Sequence, residues 1–80
     1  MTNSEIAREL RTRAADLARA GDNLYRVRAF RQAAMAVLAL PEPISELVAA
    51  AGPKALANLP GIGRSLADTI AGLAAEQLAA

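Results

Sequence analysis

The segment Leu56-Ala57-Asn58-Leu59-Pro60-Gly61-Ile62-Gly63-Arg64-Ser65-Leu66-Ala67-Asp68-Thr69-Ile70 sets two glycines, one residue apart, between a proline and an apolar repeat. A helix ahead of Pro60 must end before it, and glycine adopts backbone angles closed to other residues, so the chain turns sharply here. Leu66, Ile70, Leu73 and Ala74 then recur at helical spacing, which predicts a last helix from about Arg64 to Leu78 with those four side chains buried. Ile62, apolar between two turn glycines, is expected to insert into the core. Such a turn running straight into a helix also has chemical capacity. It exposes consecutive backbone N–H groups at the positive end of the helix dipole, where a phosphate oxygen can be held. Gly61 and Gly63 would give the unusual φ values and the close approach, Arg64 a charge and Ser65 a hydroxyl donor. A tight helix–helix connection also wants glycine for structural reasons, so the turn by itself leaves both roles open. It is not a Rossmann fingerprint, for no strand precedes it, nor a Walker loop, for no Gly-Lys-Ser/Thr follows.

Upstream the chain is punctuated in the same way. Pro53 can open a short helix over Lys54 to Asn58, and Pro43 suits the first turn of a helix through Leu47, Val48 and Ala51 that Gly52 closes. Before these, Asp22 or Asn23 can cap a helix that reaches about Ala39, where Pro41 forbids continuation. Val27, Phe30, Ala34, Val37 and Leu38 form its expected core stripe. Arg26 and Arg31 border that stripe and Arg28 lies further round toward solvent. Thr2, Asn3 and Ser4 are cap candidates for the first helix, Thr2 and Glu5 being spaced as a capping box. That helix can run to Ala20, with Ile6, Leu10, Ala14, Leu17 and Ala18 on one stripe and Gly21 as the stop. No strand signal and no internal repeat is present.

Composition points the same way. Of eighty residues, twenty-one are alanine and eleven leucine, while aromatics make up 2%; alanine loses no side-chain entropy in a helix, and strand formers are scarce. A chain this short has room for one core. The absence of cysteine excludes disulfides and thiolate metal sites, and the absence of histidine removes the usual zinc ligands and the usual general base, and with them most metal-hydrolase and triad chemistry. An enzyme here would have to work with carboxylates, one lysine, hydroxyls or the terminal amine. The longest uncharged run, the ten residues between Arg31 and Glu42, falls short of the ~18 that cross a bilayer. No basic start followed by an apolar core suggests a signal peptide, so a soluble cytoplasmic domain is expected. The net charge of +1 conceals an asymmetry: residues 1–31 carry seven arginines against four acidic residues, and residues 32–80 carry Lys54 and Arg64 against Glu42, Glu46, Asp68 and Glu76.

The pattern Leu56-x-x-Leu59-Pro60-Gly61-Ile62-Gly63-x-x-Leu66-Ala67-x-x-Ile70 resembles a helix-hairpin-helix motif, the DNA-binding element of many repair proteins. Asn23-Leu24-Tyr25-Arg26-Val27-Arg28-Ala29-Phe30-Arg31-Gln32-Ala33-Ala34 is similar to the second helix of the N-terminal domain of family X (polymerase beta-like) DNA polymerases, particularly the bacterial ones. The similarity extends to the first helix and to Pro41 through Gly52. It implies an all-α fold, a compact bundle of four to five short helices in one domain over residues 1–80, ending in a hairpin at about 53–78. It further implies a module that grips the sugar-phosphate backbone without reading bases, at gapped, nicked or 5′-phosphorylated DNA in a repair context, nucleoid-associated when bound. Gly61, Ile62, Gly63, Arg64 and Ser65 match its phosphate-holding positions, and Arg26 matches a basic 5′-phosphate contact. Tyr25 and Phe30 stand at positions near that pocket, although the place of Phe30 in the apolar stripe points to core packing. Arg28, Arg31 and Lys54 are further candidate DNA contacts. The backbone carbonyls of Ala57, Leu59 and Ile62 match those that hold a monovalent cation, K+ or Na+, and no other cofactor is implied. Members with deoxyribose-phosphate lyase activity carry a Schiff-base lysine where this chain has Thr69, and a hydroxyl cannot form an imine. Lys54 lies before the hairpin, away from that position. No lyase activity is therefore expected, and without a palm domain no polymerase activity in this chain.

A second reading keeps the fold but not the ligand: a protein-interaction or self-association domain that pairs through its alanine-rich helices. Charge placement separates the two. Convergence of Arg26, Arg28, Arg31, Arg64 and Lys54 on the hairpin side favours DNA, and evenly interspersed acidic residues favour a protein partner.

Overall fold

Thr2 opens the first helix, α1 (Asn3–Arg19), with the capping box its spacing predicts: the Glu5 amide donates to Thr2 Oγ1 at 3.2 Å, and the Thr2 amide donates to Glu5 Oε1 at 3.0 Å. These hydrogen bonds, the backbone one foremost, hold the Glu5 carboxyl below the usual carboxylate range. At the other end Gly21 takes φ +74°, the Asp22 amide donates to the Leu17 carbonyl at 2.9 Å and the Gly21 amide to that of Ala18 at 3.2 Å. This double bond pattern closes a helix on a left-handed glycine. Asn23, the second of the two cap candidates, starts α2 (Leu24–Ala39), its Oδ1 accepting from the Tyr25 amide at 2.7 Å. Pro41 and Pro43 separate α2 from α3 (Ile44–Ala51), which is turned 88° from it. Pro43 is the N-cap of α3 and does not lie inside its first turn, and Gly52 ends it with φ +78°.

The computed structural model describes residues 2–52 and 54–79, with residues 75–79 described by backbone alone. The expected opening of the next helix at Pro53 lies outside the described residues. That helix is α4 (Lys54–Ala57), and the last is α5 (Arg64–Ala79). All the regular structure among the described residues is helical, as an all-α bundle of short helices requires. Among the described residues no single helix is long and apolar enough to cross a membrane.

The first two helices pack as an antiparallel pair, and α3 to α5 pack on one another and against that pair. One cluster runs through both parts, with Ile6, Leu10, Val37, Ile44, Leu56 and Ile70 completely buried. The four residues expected to bury on α5, Leu66, Ile70, Leu73 and Ala74, do so. Two stripes need correction. On α1 the core face is Ile6, Ala7, Leu10 and Ala14, with Leu17 half-buried and Ala18 exposed; on α2 it is Val27, Ala33, Ala34 and Val37, with Phe30 half-buried and Leu38 exposed. The pattern is shared. Alanine fills the core positions Ala7, Ala14, Ala33 and Ala34, while the larger Leu17 is half-buried and Leu38 is exposed.

A clasp not expected from sequence ties the pair to the rest. Asn3, read above only as a cap candidate, donates through Nδ2 to the Glu42 carbonyl at 2.8 Å and accepts through Oδ1 from the Ile44 amide at 2.9 Å. It satisfies the first turn of α3 in place of a side-chain cap, which Pro43 cannot give.

Candidate nucleic-acid interface

The hairpin between α4 and α5 is built by two short-range bonds, the Leu59 amide to the Leu56 carbonyl and the Ile62 amide to the Leu59 carbonyl, both 3.1 Å. Ile62, 4% exposed, pins the turn into the core beside Leu66. The two glycines do different things. Gly61 has φ +83°, and a Cβ there would stand 3.6 Å from the Ala36 Cβ and 3.7 Å from the Gln32 carbonyl oxygen, so it is the point at which the hairpin lies against α2. Gly63 does not have the left-handed φ expected of it, and nothing beyond its chain neighbours lies within 4 Å of where its Cβ would be. The fold accounts for Gly61 and makes no such demand at Gly63. Beyond it the Ala67 amide is the first to turn back, onto the Gly63 carbonyl at 2.8 Å, which leaves the amides of Arg64, Ser65 and Leu66 without an intrahelical acceptor.

The hairpin and α2 together wall a concavity of about 560 Å³. Tyr25, Arg26 and Phe30 enter it from α2, and Gly61, Ile62, Gly63, Arg64, Ser65 and Thr69 from the hairpin side. Six of these were candidates for holding phosphate. Tyr25 is 80% exposed at the rim. Phe30 packs on the core with one side and lines the concavity with the other, so core packing describes half of its surroundings. Thr69 turns its hydroxyl onto the Ser65 carbonyl at 3.2 Å.

The basic residues converge only in part. Arg64 lines both this concavity and an adjoining one shared with Lys54, Asn58 and Asp68. Arg26 lies 3.4 Å from Asp22 on the preceding turn, so part of its charge is answered within the chain. Arg28 and Arg31 are exposed on α2 but line none of the concavities around the hairpin. Sequence reading missed Arg13, which shares a shallow depression with Arg26, Phe30 and Asp16. Thirteen positions separate Arg13 from Arg26, and only the antiparallel packing of α1 on α2 brings them together. Of the three carbonyls proposed for a cation, that of Leu59 already accepts the Ile62 amide.

Comparison with known proteins agrees with this geometry. A family model described as a helix-hairpin-helix domain matches residues 1–77. No curated protein and no solved structure matches the chain. Helix-hairpin-helix domains generally bind DNA without sequence specificity. With the Gly61–Gly63 turn set between α4 and α5, and the match running over nearly the whole length, the chain belongs to the helix-hairpin-helix domain family.

Proposed function

We propose that this domain holds the sugar-phosphate backbone of DNA at its hairpin without reading bases, and that it favours gapped, nicked or 5′-phosphorylated ends in a repair setting, as the resemblance to the N-terminal domain of family X polymerases implies. The observation that carries this reading is the open space at Gly63 in front of three uncapped amides. A phosphate oxygen can approach there as no side chain would allow, with Arg64 beside it. Arg26, Tyr25 and Phe30 face the same concavity, so a second phosphate and its sugar fit between hairpin and α2. No helix presents the cluster of Arg, Asn and Gln that reads base edges. Few charges are neutralised per complex, so binding is about micromolar or weaker at physiological salt. The carbonyls of Ala57, Leu59 and Ile62 make an all-oxygen donor set, the kind a hard K+ or Na+ ion takes, and such an ion would bridge them to phosphate; Leu59 retains a lone pair for it.

The domain binds without cutting. Thr69 offers no amine, and its hydroxyl is already engaged with Ser65. Incubation with an incised abasic site and borohydride is expected to trap no covalent adduct, and an adduct abolished by Lys54→Ala would overturn this. Binding itself is tested by fluorescence anisotropy on a gapped, 5′-phosphorylated duplex beside an intact duplex of equal length. Tighter association with the gapped one is expected, and no association with either at low salt would refute the proposal.

A further inference from the structure

Helix α2 has a third face that neither the core nor the hairpin concavity uses. Leu24, Arg28, Arg31, Met35 and Leu38 recur at spacings of four and three residues, which at 100° per residue confines them to one stripe roughly 80° wide and roughly 150° round from the concavity. All five are exposed, Leu24 at 65%, Met35 at 71% and Leu38 at 46%. Among the described residues, three of the four large hydrophobic side chains left in solvent are on this one stripe, and the fourth, Tyr25, faces the concavity. Three on one face of one helix make a patch and not scatter. The middle of the stripe is basic. Arg13, Arg19 and Arg26 each stand beside a carboxylate three or four residues earlier in the chain, but among the described residues none lies within 4.0 Å of Arg28 or Arg31.

We infer that this stripe is the docking face for an amphipathic helix of a partner protein, one that presents two carboxylates at the centre of its contact face and apolar side chains toward both ends. Charge selects this occupant. In a second copy packed about a twofold axis, with the helices either parallel or antiparallel about the stripe's midpoint, Arg31, midway between Leu24 and Leu38, would stand against its own mate. A bilayer surface takes basic side chains on a polar face and not amid the apolar one. DNA would answer the arginines and leave Leu24, Met35 and Leu38 against phosphate. Carboxylates between apolar groups answer all five residues over the ~21 Å of the stripe. Because this face points away from the hairpin, a partner helix and DNA can be held at once, and the inference stands apart from the DNA-binding proposal.

The test uses the whole chain and a fluorescein-labelled, 18-residue synthetic helix with leucines at its end contacts and glutamates opposite Arg28 and Arg31; the same peptide with lysines at those two positions is the control. Saturable binding of the glutamate peptide is expected, with the lysine peptide about tenfold weaker. The double substitution Arg28→Glu with Arg31→Glu should reverse that preference. Met35→Ala should weaken the glutamate peptide while helical circular dichroism stays unchanged. Equal binding of the two peptides to the wild-type chain, or none, would overturn the inference without any variant being needed. A dimer in sedimentation velocity that Met35→Glu dissolves would make a second copy the occupant. Flotation with anionic vesicles that the same change abolishes would make it a membrane. Loss of gapped-DNA binding in the double arginine variant would give the face to DNA, and each of these three results would overturn the inference. Failure of the peptide with gapped-DNA binding intact leaves the hairpin proposal untouched.

Discussion

The α1–α2 pair and the α4–α5 hairpin satisfy their polar groups in opposite ways. In the pair, side chains cap both helix starts, through Thr2 with Glu5 and through Asn23, and three arginines are matched locally, Arg13 with Glu9 at 3.5 Å, Arg19 with Asp16, and Arg26 with Asp22. In the hairpin, among the described residues, the first turn of α5 has no side-chain cap, the one side-chain hydrogen bond is Thr69 to Ser65, and neither Arg64 nor Lys54 has an ion-pair partner. Helix ends that serve only the fold are usually closed within the chain. An end left open beside an unpaired arginine has capacity for something outside it.

Substitutions in the two regions should therefore divide into losses of stability and losses of binding. The largest effect is expected at the one hairpin residue that belongs to the core. Ile62→Asp would bury an unpaired charge at a cost on the order of 4 kcal/mol, comparable to the whole stability of a small domain, so its thermal transition should vanish from circular dichroism. An unchanged transition would mean that Ile62 does not anchor the turn.

The two glycines sharpen the contrast within a single turn. Gly61→Val forces a branched residue to φ +83° against Ala36, and should cost about 1–3 kcal/mol, lowering Tm by roughly 5–20 °C. Gly63→Val adds a Cβ with nothing beyond its chain neighbours within 4 Å, and should cost about 1 kcal/mol or less in stability while weakening gapped-DNA binding about tenfold. Reversal of these two patterns would break the distinction between structural and functional glycine.

Smaller effects follow from the arginines. Arg64→Ala should weaken DNA binding at all sequences alike, while Arg26→Ala should do less because Asp22 already answers part of its charge. By the same reasoning Asp22→Asn should tighten binding about twofold by freeing Arg26. Smallest for function is Thr2→Ala, which removes the capping box and about 1 kcal/mol of stability with DNA affinity unchanged. It also bears on acid. The folded-state pKa of Glu5 is depressed, so its contribution is present above the ordinary carboxylate range and is lost as pH falls from there through the lowered folded-state value. The Thr2→Ala variant should lose less stability than the wild type between neutral and acid pH in melts followed by circular dichroism.

How far these features were legible in the sequence depends on how local they are. Caps, stops and the hairpin follow from Thr2, Asn23, Pro41, Gly52 and Gly61, each acting within a few residues, and the helix boundaries came out within a residue or two of those expected. The α5 stripe was legible because Leu66, Ile70 and Leu73 in it are large, while the buried Ala67 escaped it. The α1 and α2 stripes were misjudged at Ala18 and Leu38 because alanine contributes little to an apolar pattern yet takes core positions there, at Ala7, Ala14, Ala33 and Ala34. At the candidate site, Gly61 through Ser65 are contiguous and so were read together, whereas Arg13 and the Asp22 pairing of Arg26 depend on packing and side-chain placement. The assignment of unusual φ to both glycines failed at Gly63 because a composition of turn residues does not tell which of two adjacent positions carries the strain.

The most direct test of the open hairpin is the salt dependence of gapped-DNA binding, measured by fluorescence anisotropy for the wild type and for Arg64→Ala. A plot of log K against log salt should have a slope of roughly −2 to −4 for the wild type, and the substitution should flatten it by about one unit, the loss of one phosphate contact. A slope near zero, or one that Arg64→Ala leaves unchanged, would contradict a phosphate-holding hairpin.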